Sequence, residues 1–375
     1  MQIEIRTIDD VLPHIREDSG IIVSERADHS VIDYVYTTDD TFSSDMALQC
    51  RGLKFDAAGR IIARPFHKFF NLGEREDPMA VDWSRPHHVV DKLDGTMVHA
   101  ARLNGELVFM TRMGVMKQAR DAFAVASDGV RGLCEAMLDA SATPLFEYTA
   151  PDNRIVVAYE VPRLTLLAVR EMVSGRYMDD ADLRALGTHY QVSVAARYGT
   201  VDNIRTFMTE ARALEGVEGY VIVFEDGHRI KLKADGYVLR HRALSGAQLE
   251  KNVLAWVLAD AVDDVIPLLA PDVAERVVAY QSDVNTALAR RVAKVEAFVR
   301  EHRSLERKDF ARAAQASLDK ALMPGAFAAL DGRDIRTAVK KHLVWAAHSQ
   351  TRIDAVRALY GLSWSTEGLV AFDPG

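Results

Sequence analysis

Val89-Val90-Asp91-Lys92-Leu93-Asp94-Gly95-Thr96 is the stretch on which the reading of this chain turns. The two valines predict a β-strand that runs up to the lysine, and Asp-Gly behind it predicts a turn. A lysine at a strand end, followed by a turn, can be held at the mouth of a pocket. Its ε-amine is ordinarily protonated and a poor nucleophile. Desolvation or neighbouring cations lower its pKa and make it reactive. Lys-x-Asp-Gly is also the pattern of a surface lysine in an ordinary turn, so the weight falls on what surrounds it.

Working outward, residues 97–103 and 106–111 flank Asn104-Gly105, a strong hairpin signal. A second hairpin is expected from Leu53-Lys54-Phe55 through a turn at 56–59 to Ile61-Ile62-Ala63. Residues 21–24, 31–36, 145–148, 155–160, 164–170, 220–224 and 229–233 read as further short strands, and 119–138 as a helix. Beyond about residue 240 the pattern changes. Residues 247–261, 271–300, 307–322 and 334–347 carry helical spacing, with Leu288, Val292, Val295 and Val299 forming one apolar stripe. Strand signals almost vanish there, apart from one near the end. The expectation is an α+β domain over 1–243, built of antiparallel sheets with flanking helices, and an all-helical domain over 244–375.

The β runs carry polar groups that Lys92 needs. Glu147 sits in Phe146-Glu147-Tyr148, Glu218 precedes Gly219-Tyr220, and Lys231-Leu232-Lys233 puts two lysines on one face of a strand. Two ammonium groups on one face repel unless an anion lies between them. A triphosphate fits that need, and such cations are expected to depress the pKa of Lys92. The two carboxylates suit a ribose hydroxyl or a hard metal such as Mg²⁺. His87 and His88 are adjacent in a strand and face opposite ways, which argues against a metal pair. His67 lies beside Lys68 in a basic stretch, where it can touch phosphate. Tyr220 and Val221 suit either an adenine face or a core strand.

Composition narrows the class. The chain has 375 residues, 49% hydrophobic and 27% charged, which excludes a disordered tail protein. Its two cysteines, Cys50 and Cys134, cannot make a disulfide framework or a four-ligand zinc site, and read as small buried hydrophobes. No uncharged apolar run reaches the roughly 18 residues of a membrane span, and Met1-Gln2-Ile3-Glu4-Ile5-Arg6 lacks a signal layout. A cytoplasmic protein without membrane contact is expected. The net charge of −8 disfavours a whole-surface nucleic-acid coat but permits a local basic groove. Between 288 and 320 there are nine Lys/Arg against five Asp/Glu, a surplus that suits either an RNA-facing surface or a solvated helix face.

The order Lys-x-Asp-Gly, Phe-Glu-Tyr, Glu-Gly-Tyr-Val, Lys-x-Lys resembles that of the covalent nucleotidyltransferases: DNA ligases, RNA ligases and mRNA capping enzymes. The upstream runs Cys50-Arg51-Gly52-Leu53-Lys54-Phe55 and Ile62-Ala63-Arg64-Pro65-Phe66-His67-Lys68-Phe69-Phe70-Asn71-Leu72-Gly73-Glu74 are similar to the phage tRNA-repair branch of ATP-dependent RNA ligases. The resemblance covers about residues 45–240, and the helical tail only by domain type. It implies a nucleotidyltransferase domain in which Lys92 takes AMP from ATP, with Asp94 and Gly95 completing its motif. It further implies that Glu147 contacts the ribose, that Glu218 binds or orients a metal (Mg²⁺, or Mn²⁺ in its place), and that Lys231 and Lys233 contact the α-phosphate. Arg51 and Lys68 match phosphate-holding positions, and Tyr237 matches a tyrosine of the branch. Arg112 stands where a lysine is usual, a change of geometry as well as of residue. The implied partners are RNA, in particular nicked tRNA, and a separate polynucleotide kinase/phosphatase, since no Gly-x-x-x-x-Gly-Lys-Ser/Thr loop is present. Two alternatives stay open: a DNA ligase or capping-type enzyme, which would carry an OB-fold after Lys-x-Lys, and a ligase-like RNA-binding protein without turnover.

Overall fold

The structure, a computed structural model, describes residues 3–367 and Leu369. In chain order the strands are β1 (Ile21–Glu25), β2 (His29–Tyr34), β3 (Leu53–Asp56), β4 (Ile61–Ala63), β5 (Phe70–Asn71), β6 (His87–Lys92), β7 (Thr96–Leu103), β8 (Glu106–Met110), β9 (Ala142–Thr149), β10 (Arg163–Glu171), β11 (Arg197–Tyr198), β12 (Gly219–Phe224) and β13 (Arg229–Lys233). The helices are α1 (Asp45–Gln49), α2 (Lys117–Ala124), α3 (Asp128–Asp139), α4 (Asp180–Tyr190), α5 (Ile204–Arg212), α6 (Asp235–Ala247), α7 (Glu250–Leu258), α8 (Val262–Val265), α9 (Pro271–His302), α10 (Arg307–Ser317), α11 (Met323–Leu330), α12 (Ile335–Ala346) and α13 (Gln350–Tyr360). The chain divides within α6 into two compact units, Met1–Val238 and Leu239–Gly375. The sequence reading puts the boundary at 243/244.

The first unit is α+β. Its sheets run in the orders β1-β2-β3-β4, β10-β9-β7-β8 and β11-β6-β12-β13-β5, antiparallel throughout except for the parallel pair β13–β5. The Asn104-Gly105 turn forms as expected: both residues take positive φ, 51° and 85°, and Leu103 pairs with Glu106 across a two-residue loop. The sheet containing β7 packs Val98, Phe109, Phe146 and Leu166 against Val130 and Leu133 of α3 and Leu183 of α4. In the five-stranded sheet, Val89, Ile222, Phe224, Ile230 and Leu232 form one apolar face over Ala211 and Phe207 of α5. Strand alternation then sends Lys92, Gly219, Val221, Lys231 and Lys233 to the opposite face.

Three expectations need correcting. The helix expected over 119–138 is two helices, because Ser127 ends the first run and caps α3 by accepting from the Val130 N–H at 3.2 Å. Residues 155–160 are not a strand. The Val156 and Val157 N–H groups donate to the Asp94 carboxylate instead of to a ladder. The helix expected over 247–261 is displaced, with α6 ending at Ala247 and α7 starting at Glu250. Helices α11 and α13 had no counterpart in the sequence reading. The strand signal near the end falls largely outside the described residues.

In the second unit the 32-residue α9 serves two cores. Its first half seats Val277, Tyr280 and Val284 against α7, α12 and α13. Its second half seats Leu288, Val295 and Phe298 against Phe310, Leu322 and Val339. Buried Glu250 is neutralised by Arg357 and accepts from the Tyr280 hydroxyl at 2.9 Å. Among the described residues no helix is long and apolar enough to cross a membrane.

Candidate active site

The inter-strand register explains how the polar groups meet. Gly219 of β12 pairs with Lys92 of β6 on one side and Lys233 of β13 on the other. The row therefore reads Lys92–Gly219–Lys233, with no side chain between the lysines. Only glycine fits there: its φ is +139°, and a Cβ would lie 2.1 Å from the Leu232 carbonyl oxygen. The preceding residue, Glu218, turns its carboxylate into the gap, where Oε1 accepts from Lys92 Nζ at 2.8 Å and from Lys233 Nζ at 3.0 Å. The next row is Val90–Val221–Lys231, and the one after is His88–Val223–Arg229.

Asp94 is 1% exposed and acts as a clamp. Oδ2 accepts from the Val156 and Val157 N–H groups at 2.7 and 2.6 Å, and Oδ1 accepts from the Tyr237 hydroxyl at 2.7 Å. The Asp94 N–H in turn donates to the Tyr159 hydroxyl at 3.1 Å. Gly95 lets β7 pass close to β9, since a Cβ there would meet the Tyr148 carbonyl oxygen at 2.3 Å. Its N–H donates to the Glu147 carboxylate.

The electrostatics reverse one expectation. Burial alone would lower the Lys92 pKa, but the Glu218 carboxylate, backed by Glu147 and Asp94, more than offsets this and holds it above the ordinary lysine value. The resting side chain is an ammonium, not a free amine. The depressed lysine is Lys231, pulled down to about 6 by burial and by the charges of Arg51, Lys92, Lys68 and Lys233. Burial would raise Glu218, yet Lys92 and Lys233 hold it below the usual carboxylate range. Glu147 is pushed up to about 8 by burial, with Glu218 and Asp94 adding and Lys92 opposing. The site thus holds a lysine that an anion would recharge beside a carboxylate that a cation would ionise.

No group of three His, Cys, Asp or Glu able to hold a metal occurs among the described residues. Glu147 and Glu218 fit a divalent cation only as a partial donor set, to be completed by oxygens from water or a bound phosphate, the usual arrangement for Mg²⁺.

The upstream basic residues lie in separate settings. Lys68 is buried in an aromatic box, with Nζ 5.2, 5.4 and 5.8 Å from the ring centres of Tyr34, Phe42 and Phe70. Arg51 is half-buried in the loop after α1. Arg112 is 4% exposed, 4.4 Å over Tyr34, with Nε 3.1 Å from the Asp33 carboxylate. It is linked to Lys68 through their shared ring and stands apart from the Lys92–Glu218–Lys233 group. His67 is half-buried against the Tyr177 hydroxyl at 2.9 Å, with its pKa driven far down by desolvation, so it is neutral. His87 accepts from the Val201 N–H at 2.8 Å, and His88 faces Asp180. Tyr220 lies on the core side, stacked 5.8 Å from Phe207, which removes it from any nucleotide face.

The family model described as RNA ligase matches residues 49–237, just over half of the chain, a span that contains every one of the residues from Arg51 to Tyr237 named as site candidates. The chain belongs to the RNA ligase family. It is 27% identical over 250 residues to the "Putative RNA ligase" of Thermovibrio ammonificans, covering 64% of this chain and 65% of that protein. It is 30% identical over 261 residues to RNA ligase 1 of Bacteriophage TS2126, covering 64% and 63%. It is 24% identical over 250 residues to the "Putative bifunctional polynucleotide kinase/RNA ligase" of Autographa californica nuclear polyhedrosis virus, covering 60% of this chain and 35% of that one. The match spans slightly less than two thirds of the length of the first two relatives.

Within this RNA ligase family chain, sequence reading missed Tyr159 and the 156–157 amides, because nothing local signals a partner some 60 residues from Asp94. It also missed Arg229, which alternation alone would have placed on the Lys231–Lys233 face. Arg229 is 7% exposed, 5.0 and 4.4 Å from the ring centres of Phe66 and Tyr177.

Proposed function

We propose that the protein is an ATP-dependent RNA ligase that joins a 5′-phosphate to a 3′-hydroxyl through an AMP carried on Lys92. The observation that carries this reading is the Lys92–Glu218–Lys233 arrangement across three hydrogen-bonded strands, in a chain of the RNA ligase family. In the first step Lys92 Nζ attacks the α-phosphorus of ATP. A P–N bond forms, the P–O bond to pyrophosphate breaks, and the ammonium proton is lost to solvent. Glu218 holds that proton in the resting state. A divalent cation bound at Glu147 and Glu218 would supply positive charge to the carboxylates and phosphates and loosen that hold. Lys231 and Lys233 neutralise charge building on the α-phosphate as the bond order changes. In the second step the RNA 5′-phosphate displaces Lys92 and takes AMP. In the third, the 3′-hydroxyl attacks that 5′-phosphorus and AMP leaves.

The residues divide by role. Lys92 is the nucleophile, and Glu147 reaches the ribose or the metal. Asp94 and Tyr237 position the loop that carries Lys92, and Gly95 makes room for it. Arg51 and Lys68 hold the outer phosphates. Arg112, paired with Asp33, acts through Tyr34 on Lys68 rather than on the nucleotide directly. Residues 1–243 form the adenylyltransferase domain, and 244–375 engage the body of a nicked tRNA in the cytoplasm. One relative's name joins a kinase to an RNA ligase, which supports a separate polynucleotide kinase/phosphatase as the source of ligatable ends. The helical second unit favours this reading over a DNA ligase or capping enzyme, which would need a five-stranded barrel.

The test is incubation with α-³²P-labelled ATP and Mg²⁺ followed by a denaturing gel. A covalent AMP adduct on the protein is expected. Labelling by GTP instead would point to capping, and no adduct with either would overturn the assignment.

A further inference from the structure

The helical unit carries a chemistry of its own where α12 meets α13. Trp345 is 45% exposed. The His342 ring lies 5.7 Å from it and almost parallel, at 8°. From α13, the Arg352 guanidinium stands 4.9 Å over the indole. Behind His342 comes Tyr360 at 5.8 Å, and Arg291 stands 4.6 Å over Tyr360. Planar groups thus form a column, Arg352, Trp345, His342, Tyr360 and Arg291, with the indole reaching solvent. Burial and the Arg291 charge lower the His342 pKa, so its ring stacks without adding charge.

The charge around this column is one-sided. Between Ile335 and Ile353 the chain has Arg336, Lys340, Lys341 and Arg352, two histidines, and no Asp or Glu. Lys340 and Lys341 make no ion pair among the described residues, whereas the Arg336 charge acts on the neighbouring Asp334 carboxylate. Lys341 and Trp345 follow helical spacing on α12 and are exposed, and His348 is exposed in the turn after it. The basic run at 288–320 differs. There Arg291 and Lys294 lie 3.4 and 3.7 Å from Asp319, Arg307 lies 3.1 Å from Asp331, and Arg312 lies 3.2 Å from Asp309. Acids on the same surface quench much of its surplus.

We propose that the α12–α13 junction binds single-stranded RNA, with Trp345 stacking an unpaired base and Lys340 and Lys341 meeting the flanking phosphates. An exposed ring among unpaired cations is how sequence-tolerant single-strand sites are built. On a chain of net charge −8, a basic run uninterrupted between Asp334 and Asp354 is a local feature that bulk charge does not explain. The inference rests on RNA being this protein's substrate, and assigns that contact to α12 and α13 instead of the 288–320 helices.

The full-length protein is titrated with a single-stranded RNA oligonucleotide and with nicked tRNA across a KCl series, and AMP-adduct yield is measured in parallel. Trp345→Ala should weaken binding about ten-fold or more, Trp345→Phe should restore most of it, and both should form the adduct at the wild-type level. The Lys340→Ala/Lys341→Ala double variant should reduce the salt slope by about 1.4, as for two phosphate contacts on a single strand. Wild-type RNA affinity and salt slope in these variants would overturn the proposal. So would a Trp345-dependent dimer with unchanged RNA affinity. RNA binding that depends on Trp345 in a protein that forms no adduct would support this surface while removing the ligase reading.

Discussion

Replacing Asp94 by alanine separates two roles for this residue, nucleotide contact and loop clamp. The buried carboxylate accepts from Val156 N–H at 2.7 Å, Val157 N–H at 2.6 Å and the Tyr237 hydroxyl at 2.7 Å. A hydrogen bond to a charged group contributes about 1.5–3 kcal/mol. Burial raises the Asp94 pKa, so part of that gain offsets its own desolvation, and the lower figure applies. Two amide bonds then hold the 154–160 loop by about 3 kcal/mol, which at about 1.36 kcal/mol per decade is roughly a hundred-fold in local opening. Hydrogen–deuterium exchange read by mass spectrometry on a peptide spanning 154–160 should show that loss of protection in Asp94→Ala. Asp94→Asn, which keeps one acceptor oxygen, should fall between, and Tyr237→Phe should leave the two amides protected. Unchanged exchange at Val156 and Val157, together with a raised KM for ATP, would refute the clamp and return Asp94 to the nucleotide.

Lys92→Ala should form no AMP adduct yet still seal RNA already adenylylated at its 5′ end; adduct in that variant would remove Lys92 as nucleophile. Glu218→Ala, Lys231→Ala and Lys233→Ala should each slow sealing on a gel assay by about 10²-fold, and Lys233→Arg should not restore the rate, because a fork replaces a point charge. The folded-state pKa of Lys231, about 6, lies below the ordinary 10.5, so the unfolded chain binds the extra proton. Its cost to the fold is greatest below about pH 6 and fades as pH rises toward the ordinary lysine value. The gain in denaturation midpoint from Lys231→Met should therefore be larger near about pH 6 than near about pH 9, and equal gains would contradict the burial argument. Gly219→Ala should destabilise the fold by about 1–3 kcal/mol through its left-handed backbone and lose adduct formation, measured by melting and by labelling; a normal adduct yield would show that the close approach to Leu232 is dispensable.

Local signals made the scaffold legible. Asn104-Gly105 fixed a hairpin, Lys231 and Lys233 shared a face by alternation, and Leu288, Val292, Val295 and Val299 marked the side of α9 that packs. What local pattern could not carry was partnership across the chain. The sign of the Lys92 shift depends on Glu218, which sequence reading counted as a metal or ribose group and not as the ammonium's own counter-ion. Residues 155–160 have strand composition, but the Val156 and Val157 amides are claimed by Asp94, which no period reveals. Arg112 was legible only as a match to a position where lysine is usual, and its ion partner Asp33 lies in a different hairpin, beyond any local pattern. The helix break at Ser127 was readable from its capping side chain and was overridden by the alanine-rich run around it.

The row Lys92–Gly219–Lys233 fixes the roots of two cations and leaves their tips free to follow an anion. Its two lysines stand on strands separated by a third, so their backbones are held about 9.6 Å apart by two ladder spacings, while their Nζ atoms converge on one Glu218 oxygen at 2.8 and 3.0 Å. A row made of two ammonium groups, a glycine and a carboxylate answers to charge at the reacting phosphorus and carries no group that reads a base. Any choice between one nucleotide and another must therefore be made by residues off these three strands.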